Sequence, residues 1–153
     1  MENIDIRAAR FDEPAVQALI ALAMAELSRR YGGSGDDTPV AAADFVPPAG
    51  AFLVASDPSG ALIGCAGWRS HEEDAELKRM FTIEAARGRG VARQVLGALE
   101  ESARAHGRKR VILETGDKQP EAIALYEKCG YLRIEDFGYY KGEDGVLSYA
   151  KVL

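Results

Sequence analysis

The sequence predicts a single α/β domain, residues 1–153, on a mixed and mostly antiparallel sheet with one parallel pair and about four flanking helices. Three observations carry that prediction. A length of 153 residues suits one domain with a real core. The apolar spacing switches repeatedly between a strand period of two and a helix period of 3.6. The resulting order is strand, helices, three antiparallel strands, helix, parallel strand, helix, two strands. Only one strand–helix–strand crossover of the right kind is visible, so a Rossmann arrangement is excluded.

The elements follow in order. IDIRAA (4–9) alternates and reads as a strand. Asp12 is placed to cap a helix with Pro14 in its first turn, and Val16, Leu19, Ile20, Ala23, Met24 and Leu27 recur at helical spacing to about Tyr31. GGSGDDTP (32–39) reads as a plain loop or mobile lid, since it has no cation and no strand–helix context for phosphate. AFLVAS (51–56), a DPSG turn and ALIGCAGWR (61–69) form a hairpin, SHEEDA connects, and AELKRMFTI (75–83) is the next strand.

A helix over about 90–106 follows. Val91, Val95, Leu96, Ala98, Leu99, Ser102 and Ala103 are expected inward, with Arg93, Gln94, Glu100, Glu101 and Arg104 outward. Gly107 stops it, and the apolar VILET (111–115) reads as a strand buried on both faces. Pro120 opens a last helix that Gly130 closes, and YLRIEDF and LSYAKVL end the chain as strands.

Composition removes several function classes. Acidic residues outnumber basic ones by 24 to 19, which leaves the chain at net −5 and argues against nucleic acid or a membrane surface as partner. The N-terminus has no apolar signal core and no apolar run reaches membrane-spanning length. Cys65 and Cys129 make neither a metal motif nor a disulfide framework, so a cytoplasmic setting is expected. Two histidines, His71 and His106, are too few or too poorly placed for metal hydrolysis or a Ser–His–Asp site, and no metal is expected. His71 reads as a solvated turn residue beside a substrate mouth, and His106 as a cation at a helix C-terminus.

The segment ARGRGVARQVL (86–96) is the chemically loaded stretch. Gly88 and Gly90 let backbone approach a ligand, Arg87, Arg89 and Arg93 add charge, and a helix N-terminus favours an anion. An acidic body around a basic loop would suit a cationic substrate beside an anionic cofactor. Neither GxGxxG nor a P-loop is present, since position 93 is Arg and no GK[ST] occurs.

In context, this stretch resembles the GNAT superfamily of N-acetyltransferases, whose signature here is [Q/R]-x-x-G-x-[G/A]. Arg87, Gly90 and Ala92 meet it within RGRGVA, with AELKRM before it and LETG and QPEAIALYEKCGY after it. The resemblance implies a fold whose parallel strand pair splays around CoA, with acetyl-CoA as co-substrate. It implies that Arg87, Gly88, Arg89, Gly90, Val91, Ala92 and Arg93 hold the pyrophosphate. Backbone groups of Met80, Phe81 and Thr82 would hold the pantetheine, the Met80 amide also serving as oxyanion donor. Gln119 stands where many members contact the pantetheine through asparagine.

By spacing alone Tyr126 is a core residue sharing a helix face with Ala122, Leu125 and Cys129. The resemblance makes it the acid that protonates the CoA thiolate, and leaves no role for Cys129 as nucleophile. Glu76 matches the family's catalytic glutamate position, the alternative being a strand-end carboxylate paired with Lys78. Glu114 is the second candidate base, the alternative being a structural partner for Lys78 or Arg79. The aromatic run FGYY (137–140), together with Trp68, falls where the family shapes its acceptor pocket, although packing accounts for them equally. The implied activity is direct acetyl transfer to a primary amine in a ternary complex, with a small-molecule amine favoured over protein and a homodimer left open. The competing reading is a CoA-binding regulatory module without catalysis, and nucleotide binding ranks third.

Overall fold

The computed structural model describes residues 3–153. Its elements are β1 (Asp5–Ala8), α1 (Pro14–Tyr31), β2 (Gly50–Ser56), β3 (Leu62–His71), β4 (Asp74–Thr82), α2 (Val91–Ala105), β5 (Arg110–Gly116), α3 (Pro120–Lys128), β6 (Leu132–Arg133) and β7 (Val146–Val152). The described residues thus hold three α-helices where about four were expected. The 32–50 segment carries Gly32, Gly33, Gly35, Pro39, Pro47, Pro48 and Gly50, which disfavour helix, and it makes only a short 3-10 turn at Ala42–Phe45. A second such turn, Glu84–Ala86, leads into the Gly/Arg loop.

All strands join one sheet in the order β1-β2-β3-β4-β5-β7-β6. Every pairing is antiparallel except β4 with β5, which is joined only at Ala75↔Val111 and Glu76↔Ile112. Antiparallel pairing on both flanks runs much further, with β5 matched to β7 from Arg110↔Val152 to Gly116↔Val146. The two parallel strands therefore part just beyond Glu76 and Ile112.

A bulge re-aims β4 where they part. Gly67 opposes Lys78 and Cys65 opposes Phe81, so Arg79 and Met80 together face the single residue Ala66. Arg79 takes up the extra length at φ 59°, a left-handed conformation for a non-glycine residue. The Cys65 thiol donates to the Arg79 carbonyl at 3.3 Å, and burial pushes that thiol up to about 12, so it stays protonated.

The sheet lies between two helical layers. On one face α2 buries Val91, Val95, Leu96, Leu99 and Ala103 against sheet residues including Leu53, Ile63, Trp68, Leu77 and Leu113, with Tyr126, Tyr131 and Tyr149 extending the cluster. On the other face α1 packs Val16, Leu19 and Ile20 on Phe45, Phe52, Val54 and Cys65.

Several local expectations are corrected. Asp12 does not cap α1: the N-cap position is Glu13, no side chain caps the helix, and Asp12 pairs with Arg10 at 2.8 Å. The 70–75 connection shortens to a two-residue turn, with Glu72 at φ 54° joining His71 to Asp74. Glu100 faces inward, because Lys151 at 3.1 Å and the Tyr131 hydroxyl at 2.8 Å compensate its burial. Ser102 is half-buried and accepts the Trp68 indole N–H at 3.0 Å, so Trp68 is a core residue beneath α2. YLRIEDF supplies only the two-residue β6 and then becomes a loop. Both glycine stops hold: Gly107 (φ 73°) and Gly130 (φ 93°) follow α2 and α3, with Arg108 N–H returning to Ala103 O and Tyr131 N–H to Tyr126 O. No helix of the described residues is long and apolar enough to cross a membrane.

Candidate active site

The gap between β4 and β5 opens into a cleft of about 390 Å³ at the carboxyl ends of the two parallel strands. Leu77, Lys78, Arg79 and Met80 line it from β4, Glu114, Thr115 and Gly116 from β5, and Gln119 and Tyr126 from the α3 side. The far wall is α1 (Ala23, Met24, Leu27, Tyr31), and residues 35–37, Tyr140 and 143–146 complete the rim.

Met80 and Tyr126 meet in this cleft. The Tyr126 hydroxyl lies 3.7 Å from Met80 Sδ, a weak acceptor, and its ring is 6 % exposed. Burial raises this phenol far above its ordinary value, so it carries its proton at any neutral pH. Gln119 lines the cleft but its amide turns to the Tyr31 hydroxyl at 3.4 Å, which the Lys118 N–H also approaches at 3.2 Å. Tyr31 is seated over Gly116, where a Cβ would lie 2.0 Å from its oxygen.

The two candidate bases separate. Glu76 belongs to the last residue pair before the strands part; it is 4 % exposed, absent from the cleft lining, and ion-paired to Arg69 at 3.0 Å instead of Lys78. Arg69 also reaches Asp44 at 3.2 Å and the Pro39 carbonyl at 2.8 Å, so this pair anchors the segment after α1. Glu114 lines the cleft. Its Oε2 accepts the Tyr140 backbone N–H at 3.0 Å, and its buried Oε1 has no protein partner among the described residues. Burial raises its pKa, with Glu76 and Asp36 adding to the rise and Tyr140 N–H and Lys78 opposing it.

The 32–39 segment, read as a loop or mobile lid, is anchored at 36–38. Asp36 Oδ2 meets Lys78 at 3.4 Å and Arg79 at 3.3 Å, while Oδ1 accepts the Thr38 amide at 2.9 Å, the Thr38 hydroxyl at 2.6 Å and the Tyr140 hydroxyl at 2.8 Å. Arg79 also donates to the Asp36 and Thr38 carbonyls, and Lys78 to Thr38 Oγ1. Burial alone would raise the Asp36 carboxyl, but Lys78, Thr38 and Arg79 hold it down to about 2. A carboxylate depressed below the ordinary 3.8 stabilises the folded state above that value, and the contribution is lost as pH falls toward about 2. Exchange of the Thr38 amide is expected to accelerate across that window in the wild type and to lose the step in Asp36→Asn. A step that survives in the variant would assign control of the segment to another group.

The Gly/Arg loop fits a polyphosphate. Gly88 (φ 79°) and Gly90 (φ 80°) are both left-handed, and α2 begins with no acidic residue in its first turn and no side-chain cap. Helix first-turn amides, here following Gly90, have no intrahelical acceptor. Arg87 is tied to neighbouring elements. Its amide donates to Glu84 O, and its guanidinium goes to Glu26 at 2.5 Å and the Thr82 carbonyl at 3.1 Å. Phe81 and Thr82 stay in the β3 ladder and outside the cleft lining, with Phe81 under the Arg87 guanidinium at 5.7 Å.

The remaining candidates have packing roles. His71 ends β3 against Phe137 at 5.4 Å, and His106 caps α2 with Nδ1 2.8 Å from Ser102 O. Tyr139 is exposed, so of the FGYY run only Tyr140 lines the cleft. Sequence reasoning missed Tyr31, Asp36 and Thr38, whose roles depend on contacts between distant segments.

Residues 16–131 match the model of the acetyltransferase (GNAT) family. Over 91 residues the chain is 42 % identical to an IAA acetyltransferase of Azospirillum brasilense, covering 58 % of this chain and 59 % of that protein. Over 109 residues it is 33 % identical to the N-acetylaspartate synthetase of Homo sapiens, covering 70 % of this chain and 36 % of that one. The chain thus spans less than two thirds of the length of these curated relatives. A Klebsiella pneumoniae structure assigned to the acyl-CoA N-acyltransferases superposes with a TM-score of 0.81 and 28 % identity over 98 % of this chain and 97 % of that chain. A GNAT family acetyltransferase from Elizabethkingia anophelis, solved with acetyl-CoA bound, shares the fold at a TM-score of 0.72 and 18 % identity over the full length of both. The family match, the splayed parallel pair and the glycine loop at the start of α2 lead to one conclusion: the chain belongs to the GNAT family of acetyltransferases, which use acetyl-CoA as donor.

Proposed function

We propose that residues 1–153 form one cytoplasmic N-acetyltransferase domain that moves an acetyl group from acetyl-CoA to a small primary amine in a ternary complex. The observation that carries this reading is the meeting of Met80, Tyr126 and Glu114 around one cleft, at the point where β4 and β5 part.

Bound acetyl-CoA supplies the activated acyl group. The residues suited to hold it are the loop amides from Gly88 to Arg93, with Arg89 and Arg93 adding charge, and the β4 backbone at Met80. Arg87 braces the loop against α1 through Glu26. The Met80 N–H, re-aimed by the bulge, is the donor for the thioester oxygen. Tyr126, whose hydroxyl faces Met80 in the cleft, delivers a proton to the departing sulfur. Glu114, in preference to Glu76, takes the ammonium proton of the acceptor, directly or through water.

Cleft charge supports a cationic acceptor. Both basic side chains of the lining, Lys78 and Arg79, are committed to Asp36, while Glu114, Asp37, Glu143 and Asp144 are its other acidic side chains. An acceptor carboxylate would have to compete with Asp36 for those two cations, whereas a second ammonium has the acidic side chains of the rim available.

Thiol release from acetyl-CoA across a panel of diamines, monoamines and acidic amino acids tests this reading. Turnover fastest on diamines is expected, with Tyr126→Phe lowering kcat about a hundredfold while the Kd for acetyl-CoA stays unchanged. Saturable CoA binding with no turnover on any amine would favour the regulatory-module alternative, and unchanged kcat in Tyr126→Phe would remove the acid role.

A further inference from the structure

Tyr140 spans the cleft from its own loop to both neighbouring walls. Its backbone N–H donates to Glu114 Oε2 at 3.0 Å on β5. Its hydroxyl donates to Asp36 Oδ1 at 2.8 Å and accepts the Asp37 N–H at 2.8 Å, on the segment that follows α1. The loop that presents it is held closely. Phe137 packs edge-on against His71, and Gly138 lies so near Glu114 that a Cβ there would sit 2.5 Å from the carboxylate carbon.

Resting on the assignment of Glu114 as base, we propose that Tyr140 is a positioning residue that orients the Glu114 carboxylate and clasps the 36–38 segment across the acceptor end of the cleft. The phenol suits that role, since burial and the Asp36 carboxylate push it up to about 12 and it remains a donor throughout the neutral range. Nothing else among the described hydrogen bonds joins residues 36–38 to the loop that contacts the base. One residue, through its hydroxyl on one side and its backbone N–H on the other, therefore couples the 36–38 segment to the base.

The coupling has a pH signature. Glu114 faces Lys78 and Glu76 from β4, Asp36 from the segment after α1, and Tyr140 from its own loop. Releasing the clasp admits water to the Glu114 carboxylate, and hydration favours its charged form. The acid limb of kcat/KM, below which a protonated base cannot act, then moves to lower pH.

Tyr140→Phe removes the hydroxyl and keeps the ring and the backbone N–H. It is expected to raise the acceptor KM about five- to tenfold. It should also lower the pH of the acid limb and speed exchange of the Asp37 amide, leaving the acetyl-CoA KM unchanged. An acceptor KM and acid limb that both match the wild type overturn the proposal. Glu114→Gln serves to separate the two assignments: an acid limb that survives it overturns Glu114 as base. The Asp37 exchange rate then judges the clasp alone, and an unchanged rate overturns it. Should Tyr140→Phe not fold, Asp36→Ala removes the acceptor of the Tyr140 hydroxyl from the other end and must speed Asp37 exchange for the proposal to stand.

Discussion

Glu114→Gln is expected to lower kcat by about a hundredfold to ten-thousandfold, the range in which removal of a general base falls. The Kd for acetyl-CoA should stay within about twofold, because the residues suited to the donor lie on the loop before α2, on β4 and on α3. The substitution is nearly isosteric and still accepts the Tyr140 N–H through its carbonyl oxygen, so the geometry around the cleft is retained. The wild-type pH profile should show an acid limb above the ordinary carboxylate range, since burial raises Glu114 and the base is competent only when ionised. Glu76→Gln gives the contrast. It should lower stability through the loss of the Arg69 pair and keep the acid limb, moved only to lower pH because the Glu76 charge adds to the rise of Glu114. If Glu76→Gln abolishes the limb and Glu114→Gln does not, the assignment is reversed.

Gly50→Ala is expected to have the largest effect on stability, about 3 kcal/mol or more, read as a Tm lower by roughly 6–12 °C. A Cβ at this position would lie 2.2 Å from the Asp44 carbonyl oxygen and 2.3 Å from that of Trp68. Both obstacles are backbone, fixed by the 3-10 turn on one side and the β2–β3 ladder on the other, so neither can yield as a side chain would. Gly97 should respond in the opposite sense. It lies within α2, an added Cβ there meets nothing within 4 Å, and Ala is favoured over Gly in a helix interior by about 1 kcal/mol. Thermal unfolding of the two variants tests both signs at once, and a Gly50→Ala protein as stable as the wild type would show that the start of β2 shifts freely.

Features written in short-range signals are legible from the residues themselves. The alternation of the hairpin strands, Pro120 and Gly130 at the ends of α3, and the glycine loop before α2 each depend on neighbours within a few residues. Glu76 shows where such signals stop. Its place on β4 is plain from the sequence, but β4 pairs with β5 at Glu76 and leaves it one residue later, and no local pattern marks the end of a parallel pairing. The bulge at Arg79 is equally hidden, because an Arg at φ 59° is not a residue that advertises a left-handed turn. Asp36 and Tyr140 each sit in a segment of distinctive composition, 104 residues apart, and only the folded sheet brings them to 2.8 Å. Glu100 departs from its expected outward place for a related reason: its compensating cation, Lys151, arrives from the last strand.

The narrow seam between β4 and β5 has a mechanical consequence. Its bonds are gathered at one end, where the Lys109 N–H donates to Glu73 O, Arg110 meets Asp74 at 2.8 Å, and the two residue pairs follow. The sheet is thereby two stiff plates, β1–β4 and β5–β7–β6, hinged along one short edge. A rotation about that hinge would spare every antiparallel ladder but would strain the contacts that bridge the open end, where Tyr140 joins Glu114 to Asp36 and Asp36 pairs with Lys78 and Arg79. The spacing of Met80 and Glu114 is thus set by one short edge of backbone pairing and by the side chains that bridge the open end.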